Sequence, residues 1–172
     1  MITIRPEEVK DYAAIHEVNL LAFGGEKEAR LVETLRRSAG FIPELSLVAL
    51  RNGQVVGHIL FSPITIETQS GSASALSLAP LAVRPEFQNQ GIGSRLVQQG
   101  LRECKRMGHK IVVVVGHPTY YPRFGFSSAR AKGLEAPFRV SDGAFMALEL
   151  IPGALEGISG MVKYPPAFDE VS

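Results

Sequence analysis

Leu81-Ala-Val-Arg-Pro-Glu-Phe-Gln-Asn-Gln-Gly-Ile-Gly-Ser-Arg-Leu-Val97 is the stretch whose reading decides the fold of this chain. It reads as the end of a buried strand, a short polar elbow, and a helix that opens on Gly91 and Gly93. Leu76, Leu78, Leu81 and Val83 supply the strand. Arg84-Pro85-Glu86 ends it, because Pro85 has no N–H to give to a sheet ladder. The alternation slips by one residue at Ala79-Pro80, which predicts a bulge there. Behind Gly93 the apolar positions Val97, Leu101 and Cys104 recur at helical spacing, while Arg95, Gln98, Arg102 and Lys105 take other faces. The elbow therefore delivers a row of backbone N–H groups, from about Gln88 to Ser94, at a helix N-terminus. That end carries roughly half a positive charge and unpaired donors, so it suits an anion such as a pyrophosphate. Glycine at 91 and 93 lets the main chain come close to such a ligand.

A Gly-x-Gly at a helix start also fits a plain connecting turn, so the elbow alone leaves both readings open. Two other phosphate loops are excluded. The chain has no Gly-x-x-x-x-Gly-Lys-Ser/Thr, hence no Walker lysine, and no Gly-x-Gly-x-x-Gly with a following acidic residue, hence no support for a dinucleotide fold.

The spacing Gln88-x-x-Gly91-x-Gly93 after a strand ending in Leu-Ala-Val resembles the acetyl-CoA signature of the GNAT superfamily of N-acetyltransferases, Gln/Arg-x-x-Gly-x-Gly/Ala. Downstream, Tyr120-Tyr-Pro-Arg-Phe-Gly-Phe126 resembles the tyrosine-then-Gly-Phe element of that family. Together with Ala167-Phe168 near the end, the pattern is similar to the YhbS-type branch of predicted acetyltransferases. The resemblance spans nearly the whole chain. It implies an α/β (α+β) fold with a mixed, mainly antiparallel central sheet flanked by helices, in a single domain over residues 1–172. It also implies strands 75–83 and 110–115 splaying to admit acetyl-CoA as co-substrate.

Composition agrees with one globular domain. The chain has 172 residues, 45% of them hydrophobic and 20% charged, enough to bury a sizeable core. A formal net charge of +1 with no polybasic block leaves no footprint for nucleic acid. One cysteine, Cys104, cannot make an internal disulfide, and its place on the apolar side of a helix reads as a buried inert thiol. The N-terminal residues show no secretory pattern and no run approaches a membrane span, so a cytoplasmic protein without a membrane partner is expected.

Taken in order, residues 2–5 alternate and predict an edge strand closed by Pro6. Asp11 is the expected cap of a helix over residues 12–23, with Ile15, Val18 and Ala22 inward. Gly24-Gly25 breaks it. A second helix over 26–38 packs through Leu31, Val32 and Leu35, and Gly40 stops it. Strands at 45–50 and 55–67 flank Asn52-Gly53, the strongest hairpin signal in the chain. Residues 70–74 read as a polar turn. After the long helix, ended by Gly108, the β-branched run 111–115 reads as a central strand covered on both faces. With the preceding strand and helix it makes a βαβ unit, hence one parallel pair in a mixed sheet. A short helix or turn begins at Tyr120 and Tyr121, a further strand covers 144–151, and the tail 160–172 reads as a strap over the surface.

Acetyl transfer to an amine needs a neutral amine, a polarised thioester carbonyl and a donor for the leaving thiolate. The resemblance assigns the pantetheine arm and carbonyl to the backbone of Leu81, Ala82 and Val83. It assigns the pyrophosphate to the loop amides of Gln88, Asn89, Gln90, Gly91, Ile92, Gly93 and Ser94. It makes Tyr121, four residues before Gly125, the general acid, and a phenol with a pKa of about 10 is reliably protonated at neutral pH. The plainer reading of Tyr121 is a half-buried aromatic whose hydroxyl caps backbone. The general base stays open: residues 77–83 hold no carboxylate, and Glu26, Glu28, His58, His117 and a chain of waters are all candidates. No cluster has metal-ligand spacing, so no metal is expected. The amine acceptor, a small molecule or a peptide, is unspecified, and a homodimer is left open. A non-catalytic acyl-CoA sensor, transfer of a longer acyl group, and a purely structural α/β domain are the rival readings.

Overall fold

The computed structural model describes residues 1–171, the side chain of Glu170 aside. Strand β1 (Ile2–Pro6) forms one edge of the sheet, as its alternation predicts. Helices α1 (Tyr12–Phe23) and α2 (Lys27–Arg36) follow. Each buries one stripe: Ile15 and Val18 on α1, Leu31, Val32 and Leu35 on α2. Asp11, the expected cap of α1, makes no cap bond to it. Its buried carboxylate instead accepts the Glu8 N–H at 2.8 Å and pairs with Arg5 Nη1 at 2.7 Å. The residue serves the turn before the helix because Arg5 on β1 stands within reach.

Strands β2 (Ser46–Arg51) and β3 (Gln54–Thr68) form the expected hairpin, with φ of 51° at Asn52 and 76° at Gly53. Both values suit the two-residue turn that follows strand twist. Strand β4 (Gly71–Val83) returns along β3 from the pair Thr68↔Gly71. Residues 71–74 are therefore strand and not turn. Their Ser/Ala alternation places Ala73 inward and Ser72 and Ser74 outward, but small residues give such a period too little amplitude to read.

Helix α3 (Ile92–Arg106) and strand β5 (Ile111–Val115) complete the βαβ unit, and β5 lies parallel to β4. The remaining strands are β6 (Ser127–Ser128), β7 (Leu134–Glu135), β8 (Phe145–Glu149) and β9 (Gly160–Lys163). They join one sheet of order β1-β2-β3-β4-β5-β8-β6, with β9 pairing β3 and β7. Among the described residues, β4/β5 and β7/β9 are the parallel pairs and the rest are antiparallel. The tail is thus not a simple strap. Met161, Val162 and Lys163 pair with Glu67, Ile66 and Thr65 of β3, Gly160 pairs with Leu134 of β7, and Val162 is fully buried. A strand this short shows no period of its own.

The two faces of the sheet carry different helices. Ile59 and Phe61 of β3 pack with Ile92, Leu96 and Cys104 of α3, while Leu60 packs with α1 and α2. Burial pushes the Cys104 thiol up to about 12, so it behaves as a small apolar filler. Among the described residues no helix is long and apolar enough to cross a membrane.

A chain of polar groups is sealed under α1. Asn19 Nδ2 lies 3.4 Å from His58 Nδ1, and His58 Nε2 lies 2.9 Å from Ser46 Oγ. The Ser46 hydroxyl donates to Glu7, whose carboxylate takes two bonds from Arg36 at 2.8 and 3.0 Å. One assignment fits these contacts, a neutral imidazole with its proton on Nε2, and leaves the buried Asn19 Oδ1 without a partner. Burial, with the Arg36 charge second, pushes His58 down to about 3. The unfolded chain takes up a proton below about pH 6.5 that the folded chain refuses until about pH 3. The stability from a neutral His58 is therefore complete above pH 6.5 and is lost as the pH falls. Urea unfolding should show a slope from this residue that grows from about 0.7 kcal/mol per pH unit at pH 6.5 to about 1.3 at pH 5. A His58→Gln variant should lack that component; an equal slope in the two proteins would contradict the assignment.

Candidate active site

Strands β4 and β5 pair only at Leu76↔Val112 and Ser77↔Val113. Both continue beyond, to Val83 and Val115, and they diverge. The cause lies in β4. Against β3, Ile59 pairs with Leu81 and Phe61 with Leu78, so Ala79 and Pro80 together oppose Leu60 alone. This is the bulge expected from the slipped alternation; a bulge bends its strand, and Pro80 has no N–H for a further rung.

The gap opens into a cleft of about 670 Å³, within the range of roughly 300–1,000 Å³ typical of small-molecule sites. Leu78, Ala79, Pro80 and Leu81 form one wall, and Val115 and Gly116 face them. Tyr120 and Tyr121 stand at the end of that second wall. The far side is built by Phe23 and Glu28 from the α1–α2 corner, by residues 138–140, and by Tyr164 and Phe168 from the tail.

Next to the cleft, the elbow turns into α3. Gly91 precedes the helix with φ of 83°, and Asn89 also lies at positive φ, 63°. Among the described residues, the backbone N–H groups of Gly91, Ile92, Gly93 and Ser94 find no acceptor. These are the orphan donors of a helix N-terminus. Gln88 differs from its neighbours: its N–H donates to Pro85 O at 3.3 Å, and its side chain donates to Val83 O at 3.0 Å. It braces the elbow against the end of β4. The Tyr120 hydroxyl lies 3.2 Å from Ser94 Oγ, joining the second tyrosine-bearing segment to the start of α3.

Tyr121 is buried, with its ring edge-on to Tyr120 at 5.1 Å and to Phe126 at 5.7 Å. Gly116 makes room for it, since a Cβ at 116 would run into the Tyr121 ring. Its hydroxyl has no hydrogen-bond partner among the described residues. Burial, and then the neighbouring Tyr120, push the phenol well above its ordinary range. It keeps its proton at any working pH.

The base candidates separate cleanly. Glu28 and His117 line the cleft. Glu26 does not; it pairs with Arg30 at 2.6 Å on the exposed side of α2. His58 belongs to the sealed polar chain and has no access to the cleft. Sequence reasoning missed Phe138, Arg139 and Tyr164. Nothing local marks them, and only Ala167-Phe168 pointed toward the tail at all.

Residues 3–129 match the family described as Acetyltransferase (GNAT) domain. The chain is 43% identical over 141 residues to YjhQ of Escherichia coli K12, an uncharacterized N-acetyltransferase, covering 81% of this chain and 78% of that protein. It is 35% identical over 167 residues to YhbS of the same organism, also an uncharacterized N-acetyltransferase, covering 96% and 98%. Among solved structures, YhbS from Escherichia coli in complex with CoA superimposes with a TM-score of 0.89 at 33% identity, over 97% of this chain and 91% of that one. A GNAT family acetyltransferase from Brucella melitensis in complex with acetyl-CoA gives 0.81 at 33% identity, over 98% and 99%. With a bulged β4 parting from β5 beside a glycine elbow, and a family match over most of its length, this chain belongs to the GNAT family of acetyltransferases.

Proposed function

We propose that the protein is an acetyl-CoA-dependent N-acyltransferase that moves an acetyl group from the thioester to an amine by direct attack. The observation that carries this reading is the meeting of two features at one place. The unpaired N–H groups of residues 91–94 and Tyr121, which lines the cleft, are linked through Tyr120, whose ring meets Tyr121 at 5.1 Å and whose hydroxyl lies 3.2 Å from Ser94 Oγ. The amides of Asn89 to Ser94 would hold the pyrophosphate, with Gln88 bracing them. The edge of β4 at Leu81, Ala82 and Val83 would take the pantetheine arm and polarise the carbonyl. CoA and acetyl-CoA in the two similar solved structures support this choice of co-substrate.

In the reaction the amine nitrogen bonds to the carbonyl carbon and the carbon–sulfur bond breaks. The sulfur takes up a proton from Tyr121, and the nitrogen gives one up to a base, so the products are an amide and a free thiol. Glu28 and His117, both in the cleft, would receive the amine proton, directly or through water. The raised pKa of Tyr121 guarantees that its proton is present when the thiolate departs.

Calorimetric titration with acetyl-CoA, CoA and a longer acyl-CoA tests the reading. Saturable binding of acetyl-CoA is expected, with acyl preference reporting how much of the cleft the acyl chain fills. Failure to bind any of them would reduce the elbow to a packing turn and overturn the proposal.

A further inference from the structure

The cleft carries two charged groups that the protein itself leaves unengaged. Glu28, half-buried at the start of α2, and Arg139, exposed in the segment after β7, both line it. Among the described residues neither has an ion pair or a hydrogen-bond partner, whereas their neighbours do. Arg130 pairs with Glu135 and Asp142, and Arg30 with Glu26. Between the unengaged groups runs an aromatic surface. Phe138 meets Tyr164 with ring centroids 5.6 Å apart, and Tyr164 meets Phe168 at 5.0 Å. Phe23, 44% exposed, completes it at the α1–α2 corner.

From this arrangement we infer that the acetyl acceptor is a small aralkyl amine that also bears a carboxylate, the class of an aromatic α-amino acid. The inference rests on the acetyl-transfer reading of the same cleft. Glu28 faces the amino group, where it attracts the ammonium form and stands ready for its proton. Arg139 pairs with the acceptor carboxylate; a guanidinium suits a carboxylate in a two-bond fork. The aromatic surface takes the ring, in offset or edge-on geometry. Charge balance argues for this class over polyamines and other polycations. The described lining has one carboxylate and one guanidinium, whereas a polycation would require several acids and would be repelled by Arg139. A simple aralkyl amine would fill the aromatic surface and leave Arg139 without a partner.

The test uses the full chain with saturating acetyl-CoA, reading released thiol with L-phenylalanine, phenethylamine, L-alanine and spermidine. L-phenylalanine should exceed phenethylamine in kcat/KM by roughly ten- to hundredfold, the weight of a charge-assisted pair. L-alanine should be a poorer substrate than L-phenylalanine. Arg139→Gln should collapse the phenylalanine-to-phenethylamine ratio toward one, and Arg139→Lys should restore part of it. A ratio near one in the native protein, a ratio unmoved by Arg139→Gln, or preference for spermidine would overturn the inference. Should no amine turn over, calorimetry on the CoA-saturated protein decides. Binding of L-phenylalanine that weakens in Arg139→Gln supports the inference, and absence of binding overturns it while leaving the co-substrate reading intact. Loss of CoA binding itself would instead remove the reading beneath it.

Discussion

Gly91→Val should weaken acetyl-CoA binding by at least about a hundredfold while the protein stays folded. Position 91 lies at φ of 83°, in the left-handed region, and a β-branched residue there is strained whatever space surrounds it. A Cβ at 91 would meet no protein atom within 4 Å. The protein is therefore not clashing with the new side chain; the harm is to the elbow conformation and to the side a ligand approaches. Relaxing that strain turns the N–H groups of residues 91–94 away from a common target. Hydrogen bonds to a charged group are each worth about 1.5–3 kcal/mol, so losing two of them gives the stated factor. Because Gly91 is exposed and outside the core, the melting temperature should move only a few degrees. Calorimetry and thermal unfolding on the same preparation separate the effects. Unchanged affinity would remove the elbow from the co-substrate site.

Tyr121→Phe should lower turnover by on the order of a hundredfold, the usual cost of losing a general acid, with acetyl-CoA affinity nearly intact. The ring keeps its place against Gly116, Tyr120 and Phe126, so the change removes one hydroxyl and little packing. Tyr120→Phe provides the contrast. Its hydroxyl pairs with Ser94 at the helix start, and its loss should act on affinity more than on rate. Since burial raises the Tyr121 phenol, the native pH–rate profile should show no alkaline fall from this group below about pH 10. An undiminished rate in Tyr121→Phe would place the acid elsewhere.

Much of the fold was legible because its signals are local. Asn52-Gly53 announced the β2–β3 hairpin through residues that tolerate positive φ. The slip at Ala79-Pro80 announced the bulge, while the parting of β4 from β5 was expected from the family resemblance. The misread parts are those where local pattern is weak or a distant partner wins. Asp11 turned from α1 to Arg5 and the Glu8 N–H, and Gly160–Lys163 joined the sheet because β3 was there to receive it. His58 is typical of the second kind. A lone strand histidine is more often structural than catalytic, and Ser46, Glu7, Arg36 and Asn19 around His58 make it a sealed structural group.

By itself, then, the sequence determined the strand–elbow–helix unit and the row of free backbone N–H groups at its helix start. All the donors come from a few consecutive residues, and glycine and proline set their backbone without outside help. It also determined which helix faces are buried, through periods that any packing must respect. The far side of the cleft was decided by tertiary structure, which also chose Glu28 and His117 from among the candidates the sequence offered. Phe23 and Glu28, His117, residues 138–140 and the tail aromatics come from separated segments with no shared pattern. They meet only because the sheet and its long connections bring them to one cleft, where Glu28 and Arg139 arrive without partners of their own.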